Sequence, residues 1–301
     1  MSEPLFTVFT ATFNRASCIN RVYDSLQAQT LKDFEWIVVD DGSTDDTESV
    51  VKGFEKAADF PVRYFRKAHE GKPAAWNMGV REARGELFVS ADSDDSFLPN
   101  ALESIRAMWE SIPLDSRDGF RGVSCRCYNE EGEIVGSPDF PEPYLDAASP
   151  DVVFKYGMAY EMWGMNRTSV LRKYPMPVID GLRFYPEIII WDKISKKYKS
   201  RFFNEPLRII YDDQANKTTT RAANTRFREN YHLWRHFLNE MGEYFRYQPK
   251  LFCKAAVGIM RDGLLCKKTW GGVLEDVESP LFKFIVVLGS PVALYLSKKG
   301  K

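Results

Sequence analysis

Along the first hundred residues, short apolar runs alternate with segments whose apolar side chains recur every three or four positions. Residues 5–12 read as a buried strand, and residues 35–40, rich in β-branched side chains, as a second. Residues 62–66 and 87–91 read as two more. Between them, residues 16–29 set Ile19, Val22 and Leu26 on one helical face. Ser43, Thr44, Asp45 and Asp46 offer an N-cap and an acidic first turn for a helix running to about Lys56. A third helix is predicted over residues 73–83, and Pro99 opens a fourth at the first helical position, where its missing N–H costs nothing. This order predicts an α/β fold, a mostly parallel Rossmann-type sheet flanked by helices, whose ligands lie at the carboxyl ends of the strands.

After residue 117 the pattern changes. Residues 122–129 and 133–136 read as a hairpin around Glu130-Glu131-Gly132, followed by mixed short elements to Asp213. From about Ala222 the chain turns helical, with Phe227, Tyr231, Trp234, Leu238, Met241 and Phe245 stepping by four and three.

Composition adds an asymmetry. The chain of 301 residues has a formal net charge of -1, yet residues 217–301 carry 15 basic against 7 acidic side chains and residues 1–216 carry 26 against 35. An acidic body argues against a nucleic-acid partner, despite Arg and Lys interleaved with aromatics over residues 221–270. Five scattered cysteines make no disulfide framework, and Cys125 and Cys127 lack companions for a zinc site. No basic stretch followed by an apolar run opens the chain, so the expectation is a cytoplasmic protein.

Four polar clusters fall at predicted strand ends. Thr12-Phe13-Asn14-Arg15 is either a ligand turn or a plain strand-to-helix turn with Asn14 as a cap. Asp40-Asp41-Gly42-Ser43 sets two carboxylates side by side, which repel unless something donates to them. A nucleobase ring N–H would serve, with Asp41 accepting, and an Asx-turn is the plainer alternative. The third cluster runs His69-Glu70-Gly71-Lys72, with Asn77 and Gly79 inside the next helix; Gly-Lys just before a helix suits a diphosphate or simply a helix start. In Asp92-Ser93-Asp94-Asp95, extended backbone would make Asp92 and Asp94 converge while Asp95 turns away. Two such carboxylates form a hard-oxygen half-site for Mg²⁺ or Mn²⁺, and a polar turn capping the next helix is the alternative.

Together, Thr12-Phe13-Asn14-Arg15, Val38-Val39-Asp40-Asp41-Gly42-Ser43-Thr44-Asp45, Gly71-Lys72 with Asn77-Met78-Gly79, and Ala91-Asp92-Ser93-Asp94-Asp95 resemble family 2 glycosyltransferases of the GT-A fold, in order and spacing over residues 5–99. The resemblance implies a metal-dependent, inverting transfer from a nucleotide-diphosphate sugar, by family frequency a UDP-sugar, to an acceptor hydroxyl in surface polysaccharide or glycolipid synthesis. It implies that Thr12 and Asp41 line the base pocket, that Asp92 meets the ribose and that Asp94 holds Mn²⁺ or Mg²⁺, with Asn14, Arg15 and Asn77 completing the donor site. Where the family commonly has Ala-Arg-Asn, this chain has Ala75-Trp76-Asn77, which leaves Lys72 as the diphosphate cation. The expected division is a domain over residues 1–216, its nucleotide-sugar half 1–116 and acceptor half 117–216, then a basic helical extension over 217–301.

Inverting transfer also needs a base for the acceptor proton. Asp192, in a helix opening at Pro186 and beside Ile188 and Ile189, is the first candidate, with Trp191-Asp192 standing where the family has Glu-Asp. A surface ion pair of Asp192 with Lys196 is the alternative, and Glu187 is the second candidate base. Trp163 and Trp191 offer either sugar stacking or core packing. His232 and His236 have zinc-ligand spacing without a third ligand and read as partly exposed helix residues.

Residues 281–296 are apolar but interrupted by Gly289-Ser290-Pro291, which reads as too short and broken to span a bilayer. With Lys298, Lys299 and Lys301 they suit peripheral membrane contact through 281–301, or packing on the body. The expected partners are a nucleotide-sugar donor and a carbohydrate or lipid-linked acceptor. Two rivals share the strand-end acids: a nucleotidyltransferase, whose Gly/Arg-rich phosphate loop is missing here, and a non-catalytic nucleotide-sugar-binding module.

Overall fold

The computed structural model describes residues 3–136, 139–140, 143–158, 161–211 and 226–299. The elements are β1 (Phe6–Thr12), α1 (Asn20–Gln27), β2 (Phe34–Asp40), α2 (Thr47–Ala57), β3 (Val62–Arg66), α3 (Lys72–Glu82), β4 (Leu87–Ser90), β5 (Ser96–Phe97) and α4 (Ala101–Glu110). They continue with β6 (Phe120–Asn129), β7 (Tyr144–Ala147), α5 (Ser149–Phe154), β8 (Trp163–Arg167), α6 (Thr168–Leu171), α7 (Ile188–Ser195) and β9 (Lys199–Ile210). The last are α8 (Phe227–Glu240), α9 (Pro249–Leu265), α10 (Trp270–Glu275) and α11 (Pro280–Lys299). The chain divides into two units: the described residues of Met1–Val153, Gly157–Arg183 and Ile190–Asn216, and those of Phe154–Tyr156, Phe184–Ile189 and Lys217–Lys301.

The first unit is one sheet in the order β3-β2-β1-β4-β8-β6-β9-β5, with β7 on β9. Strands β3, β2, β1 and β4 run parallel, so Thr12 and Asp40 are cross-strand neighbours at one edge and β4 ends beside them. All seven residues of β2 are buried, as expected for a strand covered on both faces. Its one acid in the interior, Glu35, accepts from the Thr7 hydroxyl at 2.8 Å and from Arg63 at 3.0 Å, which offsets the cost of burying it. Beyond β4 the sheet turns mixed: β8 is antiparallel to β4 and β6, and β9 is parallel to β6 through bulged register shifts. The expected hairpin forms, with a bridge between Tyr128 and Ile134.

Several boundaries move for local reasons. Residues 16–19 form a hydrogen-bonded turn on Arg15, because Asn14 sits in the left-handed region at φ 53, and α1 starts only at Asn20. Pro99 lies in the preceding turn rather than at the first helical position: Asn100 is the N-cap residue of α4. Helix α7 starts at Ile188, with Pro186 contributing a carbonyl to Ile189 N. The start of the helical region at 222–225, Asp213 and Lys301 lie outside the described residues.

In the second unit, α8 buries Tyr231, Phe237 and Leu238, and also His236, which was expected to be partly exposed. Trp234 Nε1 donates to Asp262 at 2.9 Å, and Arg261 neutralises the same buried carboxylate. Helix α11 is continuous through Pro291, correcting its reading as a broken segment. Ser290 Oγ donates to the Val286 carbonyl at 2.8 Å, in the turn ahead of the proline. Twenty residues at about 1.5 Å each give about 30 Å. Its mean hydropathy of 1.6 makes it the one helix among the described residues long and apolar enough to cross a membrane.

Helix α3 carries the Gly-Lys cluster and is pressed onto β1. Phe9 packs edge-on to Trp76 at 5.6 Å and against Phe88 at 5.3 Å. A Cβ on Gly79 would stand 2.2 Å from the Phe9 ring, which those neighbours hold in place. Gly79→Ala is therefore expected to destabilise the protein: overpacking costs about 1–3 kcal/mol, against a helix-propensity gain of about 1 kcal/mol. The urea midpoint should fall, and a rise would show that the interface is slack.

Candidate active site

Two strand-to-helix loops are tied together at the end of the parallel strands. Asn14 N donates to Ser43 Oγ at 2.8 Å, and Asn14 Oδ1 accepts from Thr44 N at 2.8 Å. Arg15 N donates to Thr47 Oγ1 at 2.9 Å. Asn14 is thus a structural tie between the loops. Asp40 is buried and accepts from Ser43 N at 2.7 Å and from the Tyr64 hydroxyl at 2.6 Å; burial first, then this carboxylate, pushes the Tyr64 phenol far up.

Asp41 is the hub of the next loop. One carboxylate oxygen accepts from Lys67 and from Glu70 N, both at 3.0 Å; the other accepts from His69 Nδ1 at 2.7 Å and from Gly71 N at 2.8 Å. Four donors fill the lone-pair positions of a carboxylate. The repulsion expected between Asp40 and Asp41 is therefore relieved by protein groups, and a base N–H would have to replace one of them. His69 Nε2 faces Arg183, which can only donate, so the ring proton sits on Nδ1. The Phe13 ring stacks on His69 at 4.0 Å. Gly71, at φ 100, leaves no room for a side chain, since a Cβ would stand 2.4 Å from the Arg183 carbonyl oxygen. Beside this loop the Thr12 hydroxyl is buried with no hydrogen-bond partner among the described residues, an open polar position at the end of β1.

The acidic cluster is arranged differently from its extended reading. Ser93 and Asp94 form a tight turn, with Asp95 N donating to the Asp92 carbonyl at 3.3 Å. In a turn, residues three apart meet, so Asp92 and Asp95 converge and Asp94 stands at the tip. Arg208 of β9 bridges the pair, its Nε donating to Asp95 at 2.6 Å and its Nη2 to Asp92 at 2.9 Å. Lys72 donates to the other Asp92 oxygen at 2.9 Å. Lys72 and, against burial, Arg208 hold the Asp92 carboxyl far below the usual carboxylate range. Burial pushes Asp95 up to about 7 against the pull of Arg208, with Asp92 and Asp94 adding to the rise. Asp94 is raised by burial and then by Asp92, and no side chain among the described residues donates to its carboxylate. Arg21 reaches the Asp94 backbone carbonyl at 3.2 Å and stacks on Tyr211 at 4.2 Å, bracing the turn.

Lys72 and Arg208 are thus committed by hydrogen bonds to Asp92 and Asp95, while Asp94 feels Arg15 and Arg208 only through their charge. A single hard-oxygen ligand, with the rest of the shell from phosphate oxygens and water, suits Mg²⁺ or Mn²⁺. The residues present fit such an ion with Asp94 as the protein ligand, Asp95 being committed to Arg208. Among the described residues no group of three or more His, Cys, Asp or Glu is placed to hold a metal by itself.

The other expected residues are also placed. The Asn77 amide exchanges two hydrogen bonds with the Met176 backbone, at 2.7 and 2.8 Å, and so pins the 174–176 loop to α3. Trp163 is core: its ring stacks on Phe97 at 4.6 Å and its Nε1 donates to the Ser90 carbonyl. Trp191 is half-buried, edge-on to Trp76 at 5.9 Å and beneath the Arg121 guanidinium at 4.9 Å. Burial lowers Arg121 to about 10. Asp192 is only 3 % exposed, and like Lys196 it has partners, so it is not the lone acid of the sequence reading. Glu187 belongs to the Phe184–Ile189 segment of the second unit. The sequence reading missed Arg208 and Arg183, and it placed His69 in the Gly-Lys cluster without giving it a role. An arginine between Leu207 and Ile209 in an apolar strand was the available signal, since a buried guanidinium needs carboxylate partners.

Because the folded-state pKa of Asp95 lies above the roughly 3.9 of an unfolded chain, its contribution to stability is fully present below pH 4 and lost as pH rises toward 7. Asp94 acts in the same direction, and Asp92 acts oppositely only in stronger acid. Asp95→Asn keeps an acceptor for Arg208 and removes the titration. Its melting temperature should decline less steeply between pH 4 and pH 7 than that of the parent protein. An unchanged slope would contradict this charge balance.

The glycosyl transferase family 2 profile matches residues 7–137. An uncharacterized glycosyltransferase of Rickettsia felis is 33% identical over 132 residues, which is 44% of this chain, and the chain spans only 21% of that protein. The GalNAc(5)-diNAcBac-PP-undecaprenol beta-1,3-glucosyltransferase of Campylobacter jejuni is 28% identical over 233 residues, covering 75% of this chain and 70% of the relative. Among solved structures, S. aureus TarS 1-349 in complex with UDP-GlcNAc superposes with a TM-score of 0.62 at 16% identity, over 98% of this chain and 92% of that one. The mannosyltransferase PcManGT from Pyrobaculum calidifontis, in complex with GDP-Man and Mn²⁺, gives 0.55 at 19% identity, over 99% and 83%. The motifs of β1, β2, α3 and β4 lie inside the stretch that matches the glycosyl transferase family 2 profile, and the fold shared along nearly the whole chain is the GT-A architecture.

Proposed function

We propose that this protein is an inverting glycosyltransferase that moves a sugar from a UDP-sugar to the hydroxyl of a carbohydrate or lipid-linked acceptor in surface polysaccharide or glycolipid synthesis. The observation that carries the reading is the arrangement at the 92–95 turn, where Lys72 and Arg208 are hydrogen-bonded to Asp92 and Asp95 and Asp94 stands at the tip with no side-chain donor among the described residues. The named activities of the Campylobacter relative and the ligand of TarS support the substrate class. Residues 1–116 form the donor half and residues 117–216 the acceptor half. The setting is cytoplasmic, peripheral at the inner face of the cytoplasmic membrane, in keeping with the polyprenol-linked substrate in that relative's name.

The residues divide the work. The unpartnered Thr12 hydroxyl and the Asp41 loop receive the base, with Phe13 on His69 as a flat apolar wall. Asp92 takes the ribose hydroxyls when they displace one of its two cations. Lys72, at the first turn of α3, then turns to the diphosphate, where the helix N-terminus adds its dipole. Asp94 would hold a divalent ion, which when bound stabilises charge on the departing diphosphate. Asp192 accepts the acceptor hydroxyl proton as the bond to the anomeric carbon forms. Its burial keeps water away, so that transfer outruns hydrolysis.

The test is UDP release from UDP-glucose and UDP-N-acetylglucosamine in the presence of a bacterial glycolipid extract. Asp192→Asn should lower kcat by about 10²–10⁴-fold with donor KM little changed. Asp94→Asn should raise the donor KM and abolish the response to Mn²⁺. Full activity of Asp192→Asn would remove that residue from the chemistry.

A further inference from the structure

Helix α11 carries eight of the seventeen large apolar or aromatic side chains that the described residues expose, so its surface needs an occupant. Around the helix they form one arc. Leu281, Phe284, Leu288, Val292 and Tyr295, each between 52% and 64% exposed, share one side with Pro291 at 100° per residue. The opposite stripe, Phe282, Val286, Ser290 and Ala293, is buried. Phe282 stacks on Phe252 of α9 at 5.5 Å, and Gly289 allows close approach, since a Cβ there would stand 2.9 Å from Val257. Trp270, itself 44% exposed, is tied by its Nε1 to Ser290 Oγ at 3.0 Å, beside the stripe. Eight exposed apolar side chains on one arc of one helix exceed what scattered surface residues explain.

We infer that this arc docks onto an anionic lipid bilayer, with α11 lying in the interface plane. A spanning orientation is disfavoured because α11 is packed along its length on α9, which exposes Lys250 and Lys254 and would be drawn into hydrocarbon with it. The chemistry of the surface selects the occupant. No Asp or Glu occurs from residue 280 to the end, whereas Lys283, Lys298, Lys299 and Lys301 do, within a segment holding 15 basic against 7 acidic residues. A second copy laid on this face would set lysines against lysines with no acid on the helix to pair them. Anionic headgroups at the margin and acyl chains beneath satisfy both features at once. Tyr295 and Trp270, half-exposed aromatics with polar tips, suit the headgroup level. This deepens the peripheral setting proposed above by naming the surface that makes it.

The full chain should be tested by cosedimentation with phosphatidylcholine vesicles, with and without phosphatidylglycerol, beside lipid-free size-exclusion chromatography with light scattering. The parent protein should partition onto the anionic vesicles. Phe284→Glu and Leu288→Glu, both pointing outward, should melt like the parent and bind those vesicles roughly tenfold less, or weaker still, as expected for losing a large inserted side chain. Lys283→Gln with Lys298→Gln should lower the preference for phosphatidylglycerol. No partition onto either vesicle, or partition unchanged in both Glu variants, would overturn the inference. So would a lipid-free oligomer that Leu288→Glu dissolves, because the face would then be covered by another copy. Thermal shift by UDP with Mn²⁺, read on the same variants, keeps the donor-site reading separate: it should persist in both Glu variants whatever the vesicles show.

Discussion

The pairing of Arg208 with Asp92 and Asp95 is the interaction on which the site depends. It joins β9, near the far edge of the sheet, to the turn that follows β4, across more than a hundred residues of chain. Without it the turn would hold three carboxylates with Lys72 as the one cation hydrogen-bonded to them, and their mutual repulsion would favour protonation or opening. With it, Asp92 and Asp95 are both held by cations, and Asp94 is left at the turn tip without a side-chain donor among the described residues. The proposed place for a dication beside a diphosphate rests on that arrangement. The mixed second half of the sheet thus has a chemical consequence, since β9 reaches the cluster only because it runs parallel to β6 in this half.

A parallel logic governs the Asp41 loop. Backbone N–H groups of Glu70 and Gly71, Lys67 and His69 all converge on one carboxylate, so residues 67–71 are wrapped around it before α3 begins. Gly71 permits this because Arg183 passes where a side chain would be. The loop is therefore pre-shaped at the end of the parallel strands, with Phe13 stacked on His69 as a formed wall.

Much of the parallel half was legible in the sequence. Apolar runs such as residues 35–40 mark buried strands whatever their partners, and Asn14, Gly42 and Gly71 occupy the positive-φ positions that turn chemistry favours. Local spacing failed where a turn replaced extended backbone: Asp92 and Asp94 share a face only in a strand, and the turn at Ser93 exchanged Asp94 for Asp95. It also failed where the partner is remote. Nothing near Asp41 in sequence reveals that Lys67 and His69 saturate it, and nothing near Asp92 points to Arg208 except that an arginine sits in an apolar strand. Helix α11 was misjudged because Pro291 was given the weight of a break. The helix runs through it, held on one side by its packing on α9.

The central claim is that Asp94 is the carboxylate of the cluster that would hold a divalent ion when the donor binds. Isothermal titration of UDP into the protein, with Mn²⁺ and again in EDTA, tests it most directly when repeated on Asp94→Asn. The account predicts UDP binding at least roughly tenfold tighter with Mn²⁺ than in EDTA, a free-energy difference of about 1.4 kcal/mol, and no such difference in Asp94→Asn. Equal affinity with and without the metal in the parent protein would contradict it.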